Sequence, residues 1–419
     1  MRLKIYRSFY CFALILLGCL LMPAGASAYS VLTHQAIVDA AWEKSLQPVL
    51  LKYYPNATEE ELRKAHAYAY GGSIIQDMGY FPFGNAFFTD LVHYVRTGDF
   101  VENLISSSQT LDELAFSLGA LAHYNADIYG HPIGTNRAVP IVYPKVGAKY
   151  GDTVTYADDP VSHIKTEFGF DVLQVARGNY APENYKNFIG FEVAPEVLER
   201  AFLQTYSLEL KDVFVSLPLA IGSYRYTIRG LIPELTKAAW HAKKDEIQAE
   251  NPGATRQEFV YRMRMARYHE QWGNCYDKPN IFTRFTSWII RVLPKIGPLR
   301  PLALVPPTPQ AEEFFMESFN KTVEAYNGKL KPLQTKQQPS LQNLQLDTGE
   351  EIALGDYELA DETYAELLKR LSKKDFEHIT GKLRSNVLGF YAKAPKQQEK
   401  QDEWEKTLEA LSKLRGLQL

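Results

Sequence analysis

Two stretches of the chain place metal-ligand side chains four residues apart. "LAHYNADIYGHP", residues 121–132, holds His123, Asp127 and His131, and "DPVSHIKTEFGFD", residues 159–171, holds His163 and Glu167. Four residues of α-helix turn through about 400°, so each side chain is displaced only about 40° from the last and the set stays on one face. In a strand the same residues would lie about 13 Å apart. The spacing therefore asks for helices that turn polar faces toward one another. His-x-x-x-Glu is a natural zinc half-site, and two half-sites on successive helices can meet across a bundle.

The rest of the chain agrees with that demand. "THQAIVDAAWEKSLQPVLLKYY" has apolar residues at helical spacing, with Thr33 as the expected N-cap. "ATEEELRKAHAYAYGGSII" starts at Asn56 or Thr58, carries acids in its first turn and has Gly71-Gly72 near its end. "TLDELAFSLGALAHYNADIYGHP" opens on Thr110 with Glu113 three residues later, a capping-box pattern, and is expected to stop at Pro132. Further helices are expected after Pro160, over "APEVLERAFLQTY" and over "FVSLPLAIGSYRYTIRGLIPELTKAAWHAKKDEI". Convincing period-two alternation is scarce, which makes the fold class all-α.

Residues 278–311 differ in texture: Pro-rich and apolar, they hold no acid between Lys278 and Ala311. They read as a segment packed across the core, or as a basic element around Trp288 touching anionic headgroups. Pro294 and Pro298 speak against one long amphipathic helix there. Residues 334–345, "QTKQQPSLQNLQ", read as a linker, and charged amphipathic helices follow to residue 419. The expected division is thus 1–28, a catalytic domain over 29–333, and a linker with a helical C-terminal region over 334–419.

Residues 1–28 read as a secretory signal. Arg2, Lys4 and Arg7 precede an apolar run from Phe9 to Met22, and "AGASA" supplies small residues for cleavage after Ala28. The run is short for a membrane span. "LLGC" ending at Cys19 loosely resembles a lipidation site and is the lesser reading. The expected location is secreted or periplasmic. After cleavage Cys275 is the one cysteine left, so stability must come from the core or a bound metal. The net charge of −3 gives no bulk attraction for nucleic acid.

Other ligand types are spread along the first half. Asp77 in "GGSIIQDMGY" and His93 in "FFTDLVHY" lie near loop–helix junctions, and His34 lies five residues after Tyr29. A free α-amine has a pKa near 8, so a metal can displace its proton. Cleavage at Ala28 would let the Tyr29 amine and carbonyl chelate a metal together with His34. His66, His241, His269 and His378 read as surface or core residues.

In order, "YSVLTHQAI", "QDMGYF", "LVHY", "AHYNADIYGHP" and "SHIKTEFG" resemble the secreted zinc-dependent phospholipases C, whose fold is shared with zinc nucleases that cut single strands. The resemblance covers roughly residues 29–170, with a helical remainder to about 235. It implies one helical domain with up to three zinc ions. Asp77, His93, His123 and Asp127 would surround one, and His131, His163 and Glu167 a second. Tyr29 and His34 would hold the third, with Asp127 bridging it to the first. Two departures stand out. The family's first mature residue is usually Trp, and it commonly sets six residues, not four, between the Asp matching Asp127 and the next His. Either the helix runs on unbroken here, or His131 is displaced and the second zinc is held differently.

Paired zinc ions about 3.5–4 Å apart activate a water and clamp both oxygens of an in-line phosphoryl displacement. The expected activity is therefore phosphodiester hydrolysis, as phospholipase C. It would release diacylglycerol and a phosphorylated headgroup at a membrane surface, with Asp77 orienting or deprotonating the nucleophile. Tyr80, Phe81 or Phe83 would cage a quaternary ammonium. The alternatives are a single-strand nuclease or 3'-nucleotidase stacking bases on the same aromatics, and a non-catalytic, metal-stabilised membrane-binding module.

Overall fold

The structure, a computed structural model, describes residues 30–176, 191–228, 245, 305, 307–393 and 401–417. The signal segment with Cys19, the chelating Tyr29, His241, His269 and Cys275 lie outside the described residues, as do Trp288 and most of the acid-free segment.

Helix α1 (Val31–Ala41) passes through a π-helical turn (Trp42–Leu46) into α2 (Gln47–Tyr53). Then follow α3 (Glu59–Gly72), a 3₁₀ turn (Ile75–Tyr80), α4 (Ala86–Tyr94), α5 (Thr97–Ser107) and α6 (Leu111–Tyr129). A second π-helical turn (Gly130–Thr135) leads into α7 (Asn136–Val142), α8 (Pro144–Tyr150), α9 (Pro160–Ala176), α10 (Pro195–Tyr206) and a helical stretch over 217–228. The C-terminal helices are α11 (Pro309–Gln334), α12 (Glu358–Lys373), α13 (Gly381–Phe390) and α14 (Gln401–Gly416). Among the described residues the sole β-type pairing is the isolated bridge between Leu344 and Glu351, so the chain is all-α.

Helix α6 is the axis of the fold. Its sequence is small and apolar on nearly every side, and every residue from Glu113 to Ile128 is buried, as expected of a helix without a polar stripe. α1, α3, α5 and α11 all pack on it. Contact with α3 is close because Gly72 and Gly119 face the other helix. A Cβ at Gly72 would run into the Phe116 carbonyl, and one at Gly119 into the Ala69 carbonyl.

Local chemistry sets most helix starts. Thr58 and Glu61 form a complete capping box at α3. Thr110 accepts from the Glu113 amide at α6, while the Glu113 carboxylate instead receives the Gln109 amide and Arg200. Two expectations need correcting. Thr33 is not the cap of α1, which begins at Val31. The Leu32 and Thr33 amides donate to the Asp171 carboxylate of α9, 2.9 and 3.0 Å away, and the Thr33 hydroxyl joins them at 2.6 Å. Nor does Pro132 stop the helix. It lacks an N–H and crowds the carbonyl four residues back, and the wider π-helical turn accommodates it before the chain continues into α7.

Residues 334–345 do not hang free, as a linker would. The Leu341 amide donates to Glu102, the Tyr124 hydroxyl to the Gln342 carbonyl, and Thr97 Oγ1 to the Leu344 carbonyl. One buried apolar cluster runs from Val31 to Leu414 and includes Leu346, Leu367 and Leu371.

Candidate metal centre

Three groups of ligand-type side chains are buried at the C-terminal half of α6: His34–His123–Asp127, Asp77–His93–His123 and His131–His163–Glu167. Within each, the ligand atoms lie within 4.8 Å of one another. The expected side chains are therefore brought together, apart from Tyr29, which lies outside the described residues. His66 pairs with Asp39 at 2.9 Å and stacks on Trp42, and exposed His378 meets Glu377, so both stay away from the groups.

Backbone carbonyls orient two of the imidazoles. His123 Nδ1–H donates to the Ser73 carbonyl (3.0 Å), which the close α3–α6 contact brings alongside. His93 Nδ1–H donates to Thr89 one turn back (2.8 Å). A carbonyl only accepts, so the proton sits on Nδ1 and the Nε2 lone pair points inward. Both Nε2 atoms then converge on Asp127 Oδ2, at 3.0 Å from His123 and 3.2 Å from His93, and on each other at 3.5 Å. Asp77 Oδ1 stands 3.5 Å from His93 Nε2. The other Asp127 oxygen faces His34 Nε2 at 3.9 Å, and the His34 ring stacks on His123.

Acceptors facing acceptors repel unless positive charge lies between them. The Asp127 side chain is wholly buried, and imidazole nitrogens face both of its oxygens. A tetrahedral zinc with bonds of about 2.0–2.2 Å sets neighbouring ligand atoms about 3.3–3.6 Å apart, close to the spacings here. Residue types, tautomers and spacing all fit such an ion. Without an ion, the surrounding carboxylates favour a proton in its place on the His93 ring. Burial alone would lower the His93 imidazole, but Asp127, Asp77 and Asp347 outweigh it and raise it to about 9. Burial disfavours the charged form of Asp127, yet the facing His123 and His93 hold the carboxyl well below its usual range.

The third group is separate. His131 lies in the π-helical turn, so it leaves the face shared by His123 and Asp127 and turns to α9. Its Nδ1 is 3.4 Å from His163 Nε2, and His163 Nδ1 is 2.7 Å from Glu167. Burial pushes the His163 imidazole well below its usual value and also lowers that of His131. The α-helix is interrupted at His131, yet His131 still lies with His163 and Glu167.

Sequence reasoning missed several neighbours. Asn136 Oδ1 meets His163 Nε2 at 2.8 Å. Asp347 Oδ1 lies 3.6 Å from His131 Nε2. Tyrosines form a wall: Tyr80 and Tyr94 have their rings 6.5 and 6.1 Å from that of His93, and Tyr156 is 6.0 Å from His163. Of the three aromatics expected there, Tyr80 is in place. Phe81 packs edge-on against Tyr224 in the core.

Residues 33–214 match the family described as zinc dependent phospholipase C. This segment is similar to that family over 182 of the 419 residues. It contains every ligand-type residue of the three groups, and the clusters it buries are compatible with metal binding. No curated protein and no solved structure is significantly similar to the chain. No helix among the described residues is long and apolar enough to cross a membrane.

Proposed function

We propose that the chain is a zinc-dependent phosphodiester hydrolase, a phospholipase C that cleaves phospholipid into diacylglycerol and a phosphorylated headgroup. The observation that carries this reading is the convergence of Asp77, His93, His123 and Asp127 on one buried point within the family-matched segment. Asp77, His93, His123 and Asp127 would hold one zinc, and His131, His163 and Glu167 a second, with Asp127 shared with a third at His34. Zinc bound there would acidify a water and draw off charge from the phosphoryl oxygens.

The remaining work falls to the chain itself. Asp77, whose carboxylate reaches the His93 side of the group, orients the attacking water and accepts the proton it loses. The bond from phosphorus to the glycerol oxygen breaks as the bond to the water oxygen forms. Tyr80 and Tyr156, with ring centres 6.4 Å apart, offer faces to a cationic headgroup. The chain acts as a peripheral enzyme at a lipid surface, secreted or periplasmic after loss of residues 1–28, with Tyr29 and His34 sharing a third zinc.

The test is hydrolysis of a chromogenic phosphocholine ester beside single-stranded nucleic acid and 3'-nucleotides, with and without chelator. Chelator-sensitive turnover of the ester is expected. Turnover of nucleic acid alone would make the tyrosine wall a base-stacking platform, and turnover of none by zinc-loaded protein would overturn the enzyme reading. One residue added before Tyr29 should lower zinc content by one ion per chain, measured by elemental analysis. Unchanged content would refute the terminal chelate.

A further inference from the structure

The C-terminal part of the chain, outside the family-matched segment, sends one carboxylate to the metal centre. Residues 341–350 form an irregular strap laid across α5 and the end of α6. The Leu346 amide donates to the His93 carbonyl at 3.1 Å. Gly349, at φ +70°, lies so close to Ile128 that a Cβ would approach its carbonyl at 2.6 Å. Between these two fixed points stands Asp347, with its side chain 2% exposed.

Two acceptors of Asp347, Oδ2 and the main-chain carbonyl, are engaged by neighbouring side chains. Oδ2 accepts the hydroxyls of Tyr94 (2.8 Å) and Tyr357 (2.5 Å). The main-chain carbonyl accepts Asn136 Nδ2 at 2.8 Å, and the Oδ1 of that same Asn136 meets His163. Oδ1 of Asp347 is left facing His131 Nε2 at 3.6 Å, while His131 Nδ1 faces His163. One ring nitrogen of His131 thus turns to a zinc-ligand group and the other to an anchored carboxylate. A metal-binding histidine characteristically gives its second N–H to such a partner, which fixes ring orientation and strengthens the ligand. Asp347 is absent from the three groups of atoms close enough to share an ion, which favours this outer role over direct ligation.

We propose that Asp347 is a positioning residue of the metal centre: clamped by Tyr94 and Tyr357, it receives His131 Nε2–H and holds Nδ1 toward His163 and Glu167. The C-terminal strap then completes a site whose other residues lie within 33–214. The inference rests on the reading of the His131 group as a zinc site.

The test uses the full chain and compares wild type, Asp347→Ala, Asp347→Asn, Tyr357→Phe and Glu167→Gln. Zinc affinity is measured by chelator competition, and ligand geometry by the visible spectrum of the cobalt-substituted protein. Asp347→Ala is expected to weaken one class of site by about 10–100-fold and shift the cobalt bands. Asp347→Asn, which can still accept from His131, should recover part of the loss. Tyr357→Phe, which leaves the carboxylate in place, gives the same readout with a smaller loss should Asp347→Ala not fold. Wild-type affinity and spectrum in both Asp347 variants and in Tyr357→Phe, with Glu167→Gln impaired, would overturn this inference alone. Wild-type behaviour in Glu167→Gln as well would overturn the zinc site it rests on, and the inference with it.

Discussion

A carboxylate buried at a helix start trades the cost of leaving water against the amide hydrogens it receives. Asp171 is such a group. Burial raises its carboxyl, the bonds from Thr33 and Leu32 oppose that, and the outcome is about 6, against about 3.9 in an unfolded chain. A raised carboxyl binds its proton more tightly when folded, so stability falls as pH rises from about 4 to about 6 and the loss persists above. The shift corresponds to about 3 kcal/mol. Urea unfolding of metal-free protein between pH 4 and 7 should show this slope, and Asp171→Asn should lack it. An unchanged difference between the two proteins across that range would contradict the account. At this scale a single four-residue spacing says little, since such pairs are common on helices; the ligand-type residues became legible through a second half-site and the ordered resemblance around it. Asp347 was not legible. It stands in "LDTGE", a turn with no period, and only the fold brings it more than 200 residues back to His131.

Helices carry these side chains, and their spacing matters as much as their identity. The α3–α6 contact puts Ser73 against His123, and it depends on two glycines that permit backbone approach. Gly119→Ala would press a methyl into the Ala69 carbonyl and the Ser73 amide. Overpacking of this kind costs about 1–3 kcal/mol. The expected result is a lower melting temperature with weaker zinc binding, read by calorimetry and chelator competition. A stability loss with zinc affinity intact would show that Ser73 does not tune His123. Apolar periodicity announced α3, α6, α9 and α10 because it reports burial within one element. It could not announce the π-helical turn at Pro132, since one extra residue per turn leaves little mark on a short sequence. The cap of α1 was misplaced for a similar reason: its acceptor comes from Asp171, 138 residues away from Thr33.

For the molecule as a whole, composition suggested a boundary at 333/334 that the packing crosses. Gln- and Pro-rich stretches usually mark linkers, yet here side chains of α5 and α6 hold the backbone of that stretch down. Such contacts are irregular and distant in sequence, so nothing in the local text encodes them. α12 lies against α4, the helix that carries His93. A chain ending at Gln334 would expose the apolar surfaces that meet Leu346, Leu367 and Leu371, and would lose Asp347. It should be less soluble, unfold at lower temperature and hold less zinc than the full chain, which sedimentation, calorimetry and elemental analysis would register. Equal stability and zinc content in the shortened chain would make the C-terminal region an accessory after all.

The strap also has a consequence in time. A ribosome working at about 5–20 residues per second makes Asp347 about 220 residues, or roughly 10–45 seconds, after Asp127. During that interval the histidines of α4, α6 and α9 already exist while the carboxylate that clamps His131 does not. The cluster is therefore completed late in the life of the nascent chain, after its histidines have been made, and a polypeptide cut short before residue 347 lacks the carboxylate that faces His131.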